Sequence, residues 1–292
     1  MRVIVLGDLH YATYSDPLKA AARDRFFEGL FRQVAAHQAD MVIAIGDTTQ
    51  GGIIAELAAQ TAIAQRCGLD LLRVPGNHDA DNLDKTELAS FFLGNHPSAS
   101  STELYTTFEA GLARFILLDT TRSKNSSNWS GFVSDEQLAW LADRIEQYNR
   151  AKQPRHLIVM GHHPIFNTTR RSEERWFNID NSQAVEAILS KLIRRPGIYV
   201  CGHNHINSLA GPDAQGWYYV QPGAPLVCRS YGLFTLDEAG IRFETVDIDL
   251  SDPQLRADYD TTRFALGADF NERPFKEMYG ADSDHLMQVA IS

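Results

Sequence analysis

The sequence is poor in cysteine: it contains three, Cys67, Cys201 and Cys228, and no two of them form a C-x-x-C pair. An odd number of cysteines without close pairs argues against a disulfide framework and against a zinc site built from thiolates. We therefore expect all three to be small, buried, apolar side chains in a reducing compartment, the cytoplasm.

Long apolar runs and an excess of positive charge are also missing. No run of about 18 apolar residues occurs, so we expect no membrane span. The apolar run at residues 2–6 meets Asp8 too soon for the core of a secretory signal. Lys and Arg number 27 against 37 Asp and Glu, a formal net charge of −10. Nucleic acid is therefore not an expected partner, because duplex-binding proteins carry a broad basic surface. Bound metal cations would offset part of this negative charge.

The sequence does have the composition of a globular protein, with 44% hydrophobic and 22% charged residues among 292. This length allows one or two domains with a large core. Apolar runs predict strands at residues 2–6, 41–45, 69–74, 104–108, 114–118, 156–160, 198–201, 217–221, 233–236 and 241–247. Helices are predicted at residues 17–36, 53–67, 84–93, 134–150 and 182–194, with Asp16 and Ser134 as N-caps and Gln137 at the capping-box position.

This alternation predicts an α/β fold in which two sheets lie between helices. Residues 1–250 form the expected domain. Residues 251–292 carry no strong pattern, and we expect them to pack on the domain or on a subunit partner, so a homo-oligomer is possible.

Five polar clusters directly follow predicted strands, each opened by a glycine that lets the chain turn. They are Gly7-Asp8-Leu9-His10, Gly46-Asp47, Gly76-Asn77-His78-Asp79, Gly161-His162-His163-Pro164 and Gly202-His203-Asn204-His205. Ligands of open α/β sheets bind at the carboxyl ends of strands, so we expect the clusters to converge. Carboxylate and imidazole ligands together favour Mn, Fe or Zn, and two such ions about 3.5–4 Å apart can clamp a phosphoryl group.

Each cluster alone has an ordinary structural interpretation, such as a turn held by a side-chain hydrogen bond. Five of them together, each after an apolar strand, are far harder to explain in that way. By contrast, His37, His96 and His156 lie outside every cluster, and we expect them to be ordinary core or surface histidines.

At these clusters the sequence resembles the calcineurin-like metallophosphoesterases. The pattern D-x-H, G-D, G-N-H-D/E, G-H-H and G-H-x-H is matched in full and in order over residues 8–205. Within this superfamily it looks most like the class III cyclic nucleotide phosphodiesterases, because of the Gly161–Pro164 cluster, the segment LDTTR at 118–122 and the segment SDEQLAWL at 134–141.

The resemblance implies a four-layer α/β/β/α sandwich of two mixed sheets, with a dinuclear metal site at the carboxyl ends of strands. It assigns one metal to Asp8, His10, Asp47 and His205, and the other to Asp47, Asn77, His162 and His203. Asp47 would bridge the two ions, and a bridging hydroxide would attack phosphorus in line. His78 would contact the phosphate and protonate the leaving oxygen as general acid.

The side chains between these positions leave alternatives open. Asp79 would orient His78 or cap the next turn. His163 would contact substrate or make structural hydrogen bonds, and Asn204 would reach the phosphate or face away. Asn77 and His78 are further candidate substrate contacts.

One departure from the superfamily is informative. Its phosphoprotein phosphatases read G-D-x-x-D-R-G at the second cluster, whereas this chain reads GDTTQGG at 46–52 and lacks that Asp and Arg. Protein phosphatase activity is therefore not expected. The segment TRRSEER at 169–175 could grip a substrate anion, although its mixed charge also fits a solvated loop.

The expected function is a metal-dependent phosphodiesterase acting on a small phosphodiester, with a cyclic nucleotide as one candidate. A nuclease is an alternative that would need a basic or aromatic strand-binding surface. A phospholipid-precursor phosphohydrolase would need an exposed apolar insertion. A non-catalytic binding scaffold would show lost ligands, and none is lost here.

Overall fold

The computed structural model describes residues 1–92, 103–125, 127–152, 156–193 and 196–290. Its strands are β1 (Arg2–Leu6), β2 (Met41–Ala44), β3 (Leu71–Arg73), β4 (Thr106–Ala110), β5 (Ala113–Leu117), β6 (His156–Met160), β7 (Gly197–Val200), β8 (Ser208–Ala210), β9 (Trp217–Gln221), β10 (Ser230–Asp237), β11 (Gly240–Asp247) and β12 (Leu286–Ala290). Its helices are α1 (Pro17–Ala36), α2 (Ile54–Arg66), α3 (Lys85–Phe92), α4 (Asp135–Arg150), α5 (Ser182–Leu189), α6 (Pro225–Cys228), α7 (Pro253–Ala265) and α8 (Phe275–Tyr279), with short 3-10 turns at Ala268–Phe270 and Asp282–Asp284.

The strands within these residues form two six-stranded mixed sheets. The first has the order β12-β11-β10-β1-β2-β3, and the second has the order β4-β5-β6-β7-β9-β8. Strand β1 pairs in parallel with β2 and antiparallel with β10. In the second sheet, β6 pairs in parallel with both β5 and β7.

Alternation along the strands produces the layers. Val3 and Val5 of β1 belong to a core between the two sheets, whereas Ile4 and Leu6 face the helical side of the first sheet. There they share a core with Phe27 of α1. Successive strand side chains point to opposite faces, so an unbroken apolar strand must be covered on both sides.

The second sheet repeats this arrangement on the other side of the molecule. Ile158 and Met160 of β6 enter the core between the sheets, while Leu157 and Val159 pack with Leu141 of α4. The predicted four-layer α/β/β/α sandwich of two mixed sheets is confirmed.

The predicted starts of α1 and α4 agree with the structure, and each start has the predicted N-cap residue. The Asp16 side chain accepts a hydrogen bond from the Leu18 backbone, and α1 ends at Ala36 as predicted. Ser134 likewise accepts from Gln137 N. The Gln137 side chain instead pairs with the backbone of Asp119 at 2.9 and 2.7 Å, so it joins α4 to the end of β5.

The helix predicted at residues 182–194 ends early, at Leu189. The reason is Asn149 of α4, whose side chain binds the backbone of Lys191 and Ile193 at 2.9 Å each and holds this stretch out of the helix. Residue 194 lies outside the described residues, as do Leu93 of the predicted helix 84–93 and His96.

Residues 251–290 pack along the first sheet and its helices. Helix α7 lies against α1, where Arg25 donates to both carboxylate oxygens of Asp258 at 2.8 and 2.6 Å. Strand β12 extends the sheet by pairing antiparallel with β11. The contact with a subunit partner stays a prediction. No helix in the described ranges is long and apolar enough to cross a membrane.

Candidate metal centre

The five polar clusters meet at the carboxyl ends of β1, β2, β3, β6 and β7, as the sequence predicts. Two sets of side chains there have their ligand atoms within 4.8 Å of one another. The first set is Asp8, His10, Asp47 and His205, and the second is His162, His163 and His203. All of these except His205 are buried, and His205 is half-buried.

The backbone is strained where these side chains are presented. Five of the seven predicted metal ligands have positive φ angles: Asp8 (23°), His10 (48°), Asp47 (46°), His203 (71°) and His205 (58°). A residue with a Cβ disfavours this region by about 1 kcal/mol or more. Such strain clusters at functional sites, where the surrounding fold enforces it.

Two glycines allow the loops to approach this closely. A Cβ on Gly46, whose φ is +99°, would lie 2.2 Å from His162 Nδ1. A Cβ on Gly76 would lie 2.1 Å from the backbone nitrogen of Asp47. No side chain fits at either position, so glycine there brings the ligands into contact.

The first set brings electron-rich atoms face to face. His10 Nδ1 donates to Gln50 Oε1 at 2.8 Å, which leaves the lone pair on His10 Nε2. That atom lies 2.9 Å from His205 Nε2 and 3.7 Å from Asp47 Oδ2. Among the described residues, the buried Asp8 Oδ2 has no hydrogen-bond partner. A single cation would satisfy these atoms together.

Near the second set, His162 and His203 also have ring nitrogens left without a proton, and Asp47 and Asn77 lie beside His162. His162 Nδ1 donates to the Ile45 carbonyl at 2.9 Å, so Nε2 carries the lone pair of the neutral ring. His162 Nε2 lies 3.3 Å from Asp47 Oδ2 and 3.2 Å from Asn77 Oδ1, both acceptors. His203 Nε2 donates to the Trp176 carbonyl at 2.9 Å, which frees Nδ1.

Electrostatics of the metal-free site follow from burial. Burial raises the pKa of Asp8 to about 7, and it lowers the pKa of His203 and of His205 to about 3 each. Burial alone would lower the pKa of His162, but the Asp47 carboxylate overrides it and raises the pKa to about 9. In the metal-free site, His203 and His205 are therefore neutral, and a proton lies between His162 and Asp47. Metal binding would displace that proton.

His78 lines the cavity and keeps one ring nitrogen, Nε2, free of hydrogen bonds to the described residues. Its backbone N–H donates to Asp47 Oδ1 at 2.9 Å, and its Nδ1 donates to the Gln50 carbonyl at 2.9 Å. Burial alone would lower the pKa of His78, but Asp47 and the Gln50 hydrogen bond raise it above its usual value. The side chain is 30% exposed, so Nε2 can hold a proton toward a bound molecule.

A cavity of about 470 Å³ opens above these side chains. Asn77, His78 and Asn204, three of the predicted substrate contacts, line it. Its remaining walls come from Asp47, Asp81, Trp129, Arg171, Phe177, His203, His205, Glu272, Arg273 and Met278.

The walls from Trp129, Phe177 and the C-terminal segment are residues that the sequence analysis missed. Phe270 of that segment also packs on the site, with ring centroids 4.8 Å from His10 and 5.1 Å from His205. No local pattern marks these residues, because long-range packing alone brings them to the cavity.

The contacts of His163 and Asn204 distinguish between the substrate-binding and structural roles that the sequence left open. His163 is fully buried, accepts from Thr120 Oγ1 at 2.8 Å and donates to the Trp129 carbonyl at 3.0 Å. These bonds use both ring nitrogens and favour the structural role. Asn204 Oδ1 is buried without a hydrogen-bond partner in the described part of the chain, which favours contact with a ligand.

Asp79 ties two loops together and makes no hydrogen bond to the His78 ring within the described residues. It accepts from the backbone of Thr48, Thr49 and Gly76 at 3.2, 2.9 and 3.0 Å. These contacts favour the turn-capping alternative.

The three arginines of the basic segment at 169–175 lie in different environments, and Arg175 packs over the Trp176 ring at 4.6 Å. Arg170 pairs with the buried Asp284 at 2.8 Å. Arg171 lines the cavity and packs over the Phe177 ring at 4.0 Å. Arg171 also pairs with Glu174 at 3.2 Å, and because it lines the cavity it is the arginine of the segment that can meet an anion there.

Comparisons with known proteins agree with this geometry. The family model described as calcineurin-like phosphoesterase matches residues 1–207. The comparison with curated proteins gave no match.

Several solved structures share the fold. A dimetal phosphatase from Danio rerio aligns with a TM-score of 0.69 at 17% identity, over 85% of this chain and 97% of that chain. A purple acid phosphatase from yellow lupin seeds aligns with a TM-score of 0.62 at 16% identity, over 85% of this chain and 51% of that chain. A 5'-nucleotidase from Candida albicans aligns with a TM-score of 0.52 at 15% identity, over 91% of this chain and 57% of that chain. At these identities the likeness concerns the fold.

Proposed function

The chain belongs to the calcineurin-like phosphoesterase family, and on this premise we propose that it is a dinuclear metal-dependent phosphodiesterase acting on a small phosphodiester. A cyclic nucleotide is the candidate that the resemblance to the class III branch favours. The cytoplasm is the proposed location, and the three free cysteines support it.

Calcineurin-like dimetal phosphoesterases use two transition-metal ions. The donor set of this chain fits Mn, Fe or Zn, because it combines imidazole nitrogens with carboxylate and amide oxygens. When bound, such ions supply Lewis acidity and a hydroxide nucleophile at neutral pH. One ion would be held by Asp8, His10, Asp47 and His205, and the other by Asp47, Asn77, His162 and His203.

The observation that carries the proposal is the crowding of acceptor atoms around Asp47 Oδ2. It lies 3.3 Å from His162 Nε2 and 3.7 Å from His10 Nε2, and hydrogen bonds elsewhere on both rings turn these lone pairs toward the centre. Buried lone pairs that face one another are costly unless a proton or cation lies between them. The crowding therefore supports a bound cation, which the proposed hydrolysis requires.

The surrounding side chains would do the remaining work. His78, which lines the cavity, would give its Nε2 proton to the leaving oxygen, while Asn77 and Asn204 would orient the phosphate. The neutral amide of Asn77 keeps the centre less negative than another carboxylate would, which favours an anionic substrate.

The cavity walls support a small substrate. A volume of about 470 Å³ suits a small organic molecule. Trp129 and Phe177 offer aromatic faces to the organic groups of a diester, and Arg171 can meet its charge. Asp81 and Glu272 stand beside Arg171 and Arg273 on these walls, so the cavity lacks the excess of basic charge that binding a long nucleic acid backbone needs, and a nuclease is less favoured.

The test is a substrate screen on protein reconstituted separately with Mn, Fe and Zn. Bis(p-nitrophenyl) phosphate and cyclic AMP represent diesters, p-nitrophenyl phosphate a monoester, and single-stranded DNA a polymer. We expect metal-stimulated turnover of the small diesters and loss of that turnover in Asp47→Asn. Turnover confined to the monoester or to DNA would contradict the proposal.

A further inference from the structure

Gln50 contacts histidines from two different loops through two different parts of the residue. Its side-chain Oε1 accepts from His10 Nδ1 at 2.8 Å. Its backbone carbonyl accepts from His78 Nδ1 at 2.9 Å. Gln50 also stands at the place where the phosphoprotein phosphatase pattern has its second Asp, so the chain has replaced a carboxylate there with an amide.

The backbone fixes the position of Gln50 relative to His10. The loops after β1 and β2 run side by side, with His10 N donating to the Asp47 carbonyl at 2.8 Å and Gln50 N donating to the Tyr11 carbonyl at 3.0 Å. The next residue, Gly51, donates to the buried carboxylate of Glu56 at 2.8 Å. The Gln50 side chain is therefore held in register with the His10 ring.

This hydrogen bond selects one of the two neutral forms of His10. With the proton on Nδ1, the Nε2 lone pair faces His205 Nε2 at 2.9 Å and Asp47 Oδ2 at 3.7 Å. With the proton on Nε2, the ring could not bind a metal ion through that atom. The bond partner of one ring nitrogen thus decides what the other can do.

We propose that Gln50 is a positioning residue that fixes the Nδ1–H tautomer of His10 and so aims its Nε2 lone pair into the candidate metal centre. The role in metal binding rests on the proposed function, whereas the tautomer is a property of the metal-free protein. The two halves can therefore fail separately.

Substitution separates the side chain from the main chain. Every replacement of Gln50 keeps the backbone carbonyl that holds His78, so only the partner of His10 is removed. Gln50→Glu keeps an acceptor near Nδ1, and Gln50→Leu removes it at similar size. Gln33→Leu is the control, because it also removes glutamine side-chain hydrogen bonds to another part of the chain, here two at 2.9 and 2.8 Å to the backbone of Asp249 on the surface.

The first measurement is the histidine tautomer in metal-free, ¹⁵N-labelled protein, read from the two ring nitrogen shifts of His10. We expect the Nδ1–H form in the wild type, in Gln50→Glu and in Gln33→Leu, and a shift toward Nε2–H in Gln50→Leu. An unchanged His10 tautomer in Gln50→Leu would overturn the proposal. Gln50→Met provides the same comparison if the leucine variant does not fold.

The second measurement is Zn²⁺ affinity by competition with a chromophoric chelator. We expect Gln50→Leu to weaken binding by about 10- to 100-fold, the usual effect of losing such a partner, and Gln50→Glu to stay within a few-fold of the wild type. Equal losses of Zn²⁺ affinity in Gln50→Leu and Gln33→Leu would show general destabilisation and would refute the positioning role of Gln50. If the wild type binds none of Mn, Fe and Zn while the tautomer follows Gln50, the proposed function fails and the tautomer half of the proposal stands.

Discussion

Replacement of His78 by asparagine should separate proton donation from metal binding. The contact that links this residue to the centre is its backbone N–H on Asp47 Oδ1, which the substitution keeps. Its ring makes one hydrogen bond to the Gln50 carbonyl and is 30% exposed, so we expect a stability loss of about 1 kcal/mol. Metal content should stay unchanged.

The kinetic loss should depend on the leaving group. General acid catalysis contributes about 10²- to 10⁴-fold, or roughly 3–5 kcal/mol, when an alkoxide leaves. A nitrophenolate leaves without a proton, so its loss should be below about tenfold.

The assay compares kcat of wild type and His78→Asn on cyclic AMP and on bis(p-nitrophenyl) phosphate at equal metal loading. His37→Asn, which alters a histidine outside the cavity walls, should behave as the wild type on both. Equal losses on the two substrates would refute the role of His78 as the acid.

Three further predictions concern stability. Glu56→Ala removes the acceptor of the Thr13 and Gly51 backbone N–H groups, at 2.7 and 2.8 Å, and should lower the free energy of unfolding in urea by about 2–4 kcal/mol. The exposed control Glu146→Ala should cost less than about 0.5 kcal/mol, and equal costs would contradict the account. A chelator should abolish turnover and lower the melting temperature, and added Mn at about 100 times its Kd should restore about 2.7 kcal/mol; a melting temperature unmoved by metal would oppose the proposed centre. Burial and then Arg2 lower the pKa of His37, so its contribution to stability is present above the unfolded pKa of about 6.5 and is lost as pH falls. His37→Gln should flatten the pH dependence of unfolding between pH 7.5 and 5.5 by less than about 1 kcal/mol, because the ring is half-exposed, and an unchanged dependence would argue against the effect.

Most of the fold could be predicted because its signals are local. Strand β6 is apolar on both faces and therefore had to lie between two layers, and Asp16 followed by Pro17 marked the start of α1 at the right residue. The end of α5 could not be predicted, because Asn149 from a different helix ends it.

The convergence of the five clusters could also be predicted, since each follows a strand whose carboxyl end lies at the same edge. The roles of adjacent residues could not. His162 and His163 are identical in type and lie side by side, and what distinguishes His163 is that its bonds to Thr120 and the Trp129 carbonyl occupy both of its ring nitrogens. Phe270 lies more than 60 residues beyond His205, so only tertiary packing reveals that its ring packs against the ligand histidines.

The most direct test of the account is a crystal structure of the Mn-loaded protein with anomalous difference maps collected above and below the metal edge. We predict two peaks within about 4 Å of each other, with Asp47 between them, His10 and His205 on one side, and His162 and His203 on the other. One peak, none, or two that Asp47 does not join would contradict it.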